Sequence, residues 1–109
     1  MPKPDRLQGS LDLLVMKILS RRGPLHGYAI TNHIEEISED ILRLEEGSLY
    51  PALHRMEESG WIRAKWGTTE HKRRVRMYEL TASGREELER EEDRWSVVTA
   101  AVARVLKLA

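Results

Sequence analysis

The chain has 109 residues and 12.7 kDa, one domain's worth, and its 40% hydrophobic and 33% charged residues balance as in a folded rather than a disordered protein. Eighteen Lys and Arg cancel eighteen Asp and Glu, so net charge names no partner, and the lack of Cys excludes a disulfide scaffold, a thiolate metal site and a cysteine nucleophile. No stretch approaches the ~20 apolar residues of a membrane span, and no signal-type apolar run follows Met1-Pro2-Lys3-Pro4-Asp5, so a cytoplasmic protein with no membrane partner is expected.

From Leu7 to Arg22, Leu11, Leu14, Val15, Ile18 and Leu19 fall on one helical face, which Leu13 and Met16 widen. So broad a stripe suggests a core on one side and a partner on the other. Gly23-Pro24 stops this helix, and His26 reads as a helix-start residue before a second helix from Tyr28 to about Ile37. Ile41-Leu42-Arg43-Leu44 then suggests a short strand. A third helix opens at Gly47-Ser48, with Ser48 as N-cap, Pro51 in the first turn, Leu49, Leu53 and Met56 inward, and Gly60 as the residue past its end.

Trp61 to Trp66 alternates apolar with basic, as a strand with one covered face does. Gly67 to His71 reads as a loop, and Arg74 to Leu80 as the return strand. Thr81 caps a last helix that runs uninterrupted to the end of the sequence, some 27 residues or roughly 40 Å at the rise of an α-helix. Along it Leu88, Trp95, Val98, Val102, Val105 and Ala109 form a heptad seam broken only at Glu91. A domain of this size cannot cover so long a helix alone.

Neutrality hides segregated charge. Arg63, Lys65, Lys72, Arg73, Arg74 and Arg76 face only Glu70 between Trp61 and Tyr78, whereas Glu35 to Glu46 is acidic but for Arg43. The block Arg85 to Arg94 reads as a solvated helix face with pairs three and four apart.

The order of elements predicts a mostly α protein with a small β-hairpin: a winged helix-turn-helix over residues 1–80 and a dimerisation helix over residues 81–109. In that architecture the third helix enters the DNA major groove and the wing rides on the phosphates. Ser48, Tyr50, Pro51, His54 and Arg55 lie at the N-terminal half or outer face of the third helix and are candidates for reading bases. Lys72, Arg73, Arg74 and Arg76 on the wing are candidates for phosphate, since packing has no need of such a cluster. Glu45 and Glu46 stand just ahead of the third helix, whose positive end they favour.

Gly47-Ser48-Leu49-Tyr50-Pro51-Ala52-Leu53-His54-Arg55-Met56-Glu57-Glu58-Ser59-Gly60-Trp61-Ile62 resembles the recognition-helix signature of the PadR family of bacterial transcriptional regulators. Gly23-Pro24-Leu25-His26-Gly27-Tyr28 and Arg76-Met77-Tyr78-Glu79-Leu80-Thr81-Ala82-Ser83-Gly84 are further matches in the right order, and the rest is similar to the branch with a single C-terminal helix. Val75 and Met77 depart from the basic or aromatic residues common there. The resemblance implies a homodimeric repressor on a palindromic operator, released by a small aromatic effector held between subunits. It places Tyr50 and Pro51 at the groove and Lys72, Arg73 and Arg74 at the backbone. The last helix would cross the partner's first, which makes Leu11, Leu14, Leu88, Trp95, Val98, Val102 and Val105 the expected interface. Two-fold symmetry then sets half-sites ~34–36 Å apart.

Trp95 reads either as an interface residue or as the wall of an effector pocket, where Glu91 and Glu92 would favour cationic aromatics. Trp61 is expected in the core, Trp66 at the core's edge rather than lining a pocket, and Tyr28 and Tyr78 between helix and wing. The four His residues have no metal-ligand spacing, so neither metal nor cofactor is expected. An enzyme finds no phosphate-cradling loop and no nucleophile with a base. The remaining alternative is a winged-helix adaptor that binds protein instead of DNA.

Overall fold

A computed structural model describes residues 4–45 and 47–109, with elements in the order α1 (Pro4–Arg22), α2 (Gly27–Ile37), α3 (Leu49–Glu58), β1 (Ile62–Thr68), β2 (Arg74–Leu80) and α4 (Ala82–Leu108). The start of the chain through Lys3, and Glu46 with the helix-end role expected of it, lie outside the described residues. The architecture is the winged helix-turn-helix with a long final helix. No helix among the described residues is long and apolar enough to cross a membrane.

The core follows from the stripes. Leu11, Leu13, Val15, Met16 and Leu19 of α1 meet Ile30 and Ile34 of α2 and Leu49, Ala52, Leu53 and Met56 of α3. The Nδ1 of His26 accepts from the Ala29 amide at 3.4 Å and so caps α2 as expected. Ser48 precedes α3 but is itself in the helical region, and its side chain makes no capping bond. Past Ser59, Gly60 takes the left-handed conformation (φ 81°) that ends α3.

The two strands pair antiparallel from Ile62↔Leu80 to Thr68↔Arg74. Ile62, Tyr78 and Leu80 are buried at the root, with Ala64 packed beside them, and this is where the core ends. Leu25 adds a bridge to Tyr78, with N–H···O distances of 3.0 and 2.8 Å. That single bridge stands where a third strand was expected, and Ile41–Leu44 forms none. Glu39 and Asp40 adopt φ of 55° and 65°, which turns the chain sharply after α2. The Ser38 hydroxyl then accepts from the Leu42 amide at 3.0 Å, and Glu35 Oε2 accepts from that of Leu44 at 3.2 Å, so these amides are satisfied without a ladder.

Thr81 caps α4 by accepting from the Gly84 amide at 3.0 Å. Gly84 and Leu88 are buried in the body, whereas from Glu89 the helix projects with only Glu91 and Glu92 partly covered. Two residues expected at the subunit interface, Leu11 and Leu88, are thus core residues of their own protomer, 9% and 6% exposed. The seam begins in effect at Trp95.

A Cβ at Gly84 would drive into the Trp61 carbonyl, a backbone atom that cannot step aside. Gly84→Ala is therefore expected to destabilise the fold by about 2 kcal/mol or more despite the higher helix propensity of Ala, read as a lower urea midpoint at unchanged m-value.

Candidate nucleic-acid interface

The candidate recognition face is the outer side of α3. Because Leu49, Leu53 and Met56 point inward, helical geometry turns Tyr50, Pro51 and His54 to solvent, and all three are exposed together with Ser48. The Tyr50 ring rests against Gly27 at the start of α2, where a Cβ would come within 2.5 Å of its hydroxyl. The lack of a side chain at Gly27 thus makes room for the ring. His54 Nε2 lies 3.4 Å from Glu58.

Arg55 is placed otherwise. Its guanidinium donates to Asp12 of α1 at 2.6 Å, so it joins two helices instead of standing on the outer face. Burial beside Glu87 and Glu91 of α4 pushes the Asp12 carboxyl above its usual range, and the Arg55 charge only partly offsets this.

On the wing, alternation divides the cations. Arg63 stands opposite Glu79 and donates to it at 2.6 Å, with Lys65 at 4.0 Å. The Arg63 hydrogen bond holds the Glu79 carboxyl below its usual range, with Lys65 assisting. Arg76 reaches back to Glu57 of α3 at 2.9 Å and ties the wing to that helix. Lys72, Arg73 and Arg74 are exposed and have no acidic partner among the described residues. Lys72 closes the turn with φ 63°, its amide donating to the Thr69 carbonyl at 2.9 Å, while the Thr69 hydroxyl accepts from the Arg73 amide at 3.1 Å. A lysine in that conformation costs about 1 kcal/mol relative to glycine.

Two aromatics sit outside the places expected for them. Tyr28 is 70% exposed and stacks on His26 instead of packing against the wing, whereas Tyr78 is buried as expected. Trp66 is 60% exposed, not at the core edge, with the Arg74 guanidinium 4.5 Å over its ring. It lies two residues farther out on the face of Ile62 and Ala64, and the body does not reach that far. Distance from the root, not alternation, was the signal for this.

Trp95 lies with Leu13, Leu14 and Lys17 of α1 and Glu92 of α4 along an open groove of about 450 Å³, spanned by a 2.9 Å ion pair from Lys17 to Glu92. Trp95, Val98, Val102 and Val105 stay 49–64% exposed. Among the described residues no three His, Cys, Asp or Glu cluster as metal ligands would.

Three helices, a basic two-stranded wing rooted on them and a projecting apolar helix define a winged helix-turn-helix regulator. Residues 15–90 match the Transcriptional regulator PadR-like family, and the chain belongs to it. It is 33% identical over 70 residues to the negative transcriptional regulator PadR of Bacillus subtilis, a stretch covering 64% of this chain and 38% of that protein. It is 51% identical over 69 residues to an uncharacterized 37.1 kDa protein in transposon TN4556 of Streptomyces fradiae, covering 63% of this chain and 18% of that one. The matched part is thus well under half of either relative. A PadR-like transcriptional regulator from Bacillus cereus superposes with a TM-score of 0.80 at 25% identity, over 96% of this chain and 99% of that one.

The raised Asp12 value has a defined sign. A group that binds its proton more tightly folded than unfolded favours the fold below about pH 4 and loses that contribution as pH rises through its folded value. Asp12→Asn keeps an acceptor for Arg55 and removes the titration. Its unfolding midpoint is expected to gain on the wild type as pH rises from about 4, measured by urea titration across pH.

Proposed function

We propose that the protein is a DNA-binding repressor that grips a palindromic operator as a homodimer. The observation that carries this reading is the set of cations without acidic partners on the wing, Lys72, Arg73 and Arg74, on the same protein as the exposed Tyr50, Pro51 and His54 of α3 and the exposed Ser48 that precedes it. A cation held at Lys72 in a conformation that favours glycine points the same way, since local strain gathers at functional positions. In this reading α3 supplies base contacts and the tip supplies phosphate contacts. Arg55 and Arg76 act one step back: their ion pairs with Asp12 and Glu57 fix the angles of α3 and the wing.

The dimer follows from the α4 arm. Trp95, Val98, Val102 and Val105 present a row of apolar side chains to water, and burying each fully is worth about 1.5–3 kcal/mol. Together with Leu14 of α1, that row would form the subunit interface, with residues 81–109 as the dimerisation helix. Two protomers so joined would present their recognition helices about one DNA turn apart.

Trp95 at the α1–α4 groove also makes the arm the proposed site of a small aromatic effector. Its indole gives a planar aromatic ring a face to stack on, and Asp93 beside it favours a cationic one, while Glu92 is already paired with Lys17.

Titration of labelled promoter DNA is expected to give two protomers per operator and an affinity falling steeply with salt, by ~0.9 in log–log slope for each phosphate neutralised. Arg73→Ala should weaken every sequence alike. Affinity indifferent to salt would point to the protein-binding adaptor instead. For the effector, a planar aromatic cation should quench tryptophan fluorescence in the wild type but not in Trp95→Ala; quenching that survives the substitution places the pocket elsewhere.

A further inference from the structure

Trp66 is the largest aromatic side chain on the wing, and no structural role absorbs it. The ladder puts it opposite Arg76, so Arg74 lies diagonally from it on the same face. That face is buried at Ile62, Tyr78 and Leu80 but open at Trp66, where the indole is 60% exposed. Arg76 is drawn toward α3 by Glu57 at 2.9 Å, which leaves the outer side of the ring to Arg74. The Arg74 guanidinium takes that place, 4.5 Å above the ring centroid, with no carboxylate bound among the described residues. A guanidinium is weakly hydrated, so one face can stack on an indole while its in-plane N–H groups stay free to donate. A carboxylate partner would occupy those same donors, as Glu79 does for Arg63.

From this geometry we propose that Trp66 is a positioning residue for DNA binding: its indole holds Arg74 flat at the wing's edge with its donors free for a phosphate. The inference rests on the DNA-binding reading above and adds a mechanism to it. Arg side chains lose rotamer freedom on binding, and an arginine already stacked has less to lose. Lys72 and Arg73 at the tip have no such platform, so of the three free cations Arg74 is the preorganised one. The indole itself need not touch DNA.

The test combines a readout without DNA and one with it. In the free protein the Arg74 Nε–H resonance should carry a ring-current shift that Trp66→Ala abolishes and Trp66→Phe partly retains. In titrations of a mixed-sequence duplex at several potassium chloride concentrations, Trp66→Ala should weaken binding about two- to fivefold, the range an exposed cation–π contact supports. Its salt slope should stay at the wild-type value, because Arg74 still reaches phosphate, whereas Arg74→Ala should lose ~0.9 of slope. Adding Trp66→Ala to Arg74→Ala should cost nothing more, and Trp66→Phe should recover most of the affinity. Unchanged affinity in Trp66→Ala, or losses that multiply in the double variant, would overturn the proposal while leaving DNA binding intact. A wild type that shows the shifted resonance but binds no duplex overturns the DNA reading and this inference with it.

Discussion

One threonine hydroxyl holds the parts of this protein in register. Thr81 Oγ1 donates to the Gly60 carbonyl at 2.6 Å, lies 3.0 Å from that of Trp61, and accepts from the Gly84 amide. The Thr81 amide donates to the Trp61 carbonyl at 3.0 Å, and the Trp61 amide to that of Met56. The end of α3, the roots of both strands and the start of α4 therefore meet within a few residues. Gly84 lets α4 leave in direct contact with the Trp61 backbone, which any side chain would forbid. The direction in which α4 leaves the body, relative to α3, is fixed here. In a two-fold assembly that direction decides the distance between reading heads, so a local knot of backbone bonds governs the geometry of the proposed complex.

Charge is organised by the same logic of commitment. Six wing cations are visible in the sequence, but Arg63, Lys65 and Arg76 answer to Glu79 and Glu57. The unpaired ones lie at the turn and just beyond it. Paired cations near the root stiffen the hairpin, and free cations at its end carry the field outward, where solvent and salt act on them most. Arg55 shows why helical position alone misleads. It has the spacing of a groove-facing residue, yet its long side chain folds back to a half-buried aspartate on α1.

Periodicity made much of this legible. The three helical stripes, the cap at Thr81, the left-handed Gly60 and the bounds of the return strand could be read because each follows from chemistry within a few residues. What escaped depended on where the body stops. Trp66 continues the alternation of a covered strand, but the cover runs out at Ala64. Leu88 continues the heptad seam, but it falls on the turn of α4 that still lies against α1. Ile41 to Leu44 has the composition of a strand and no neighbour to pair with, because the left-handed pair Glu39-Asp40 has redirected the chain. Tyr28 carries a motif-like spacing whose partner proved to be His26, two residues away. The first three of these turn on where one element stops covering another, which local pattern does not encode.

The arm beyond Glu89 raises a thermodynamic point of its own. From Trp95 to the end of α4 only Arg104 and Lys107 are charged, and Val97, Leu106 and Leu108 are 68–81% exposed on flanks outside the heptad seam. A helical stretch this short gains little stability from its own hydrogen bonds in water, and apolar side chains add to it only when something covers them. Covering the seam and the flanks takes more than one helix in line contact; it needs a surface that wraps the arm. A second protomer, as proposed, would offer its own α4 and the exposed side of its α1 together. In the proposed dimer, order in the arm and association would be one equilibrium, and a ligand bound beside Trp95 would act on DNA spacing through the same contacts that hold the arm in place.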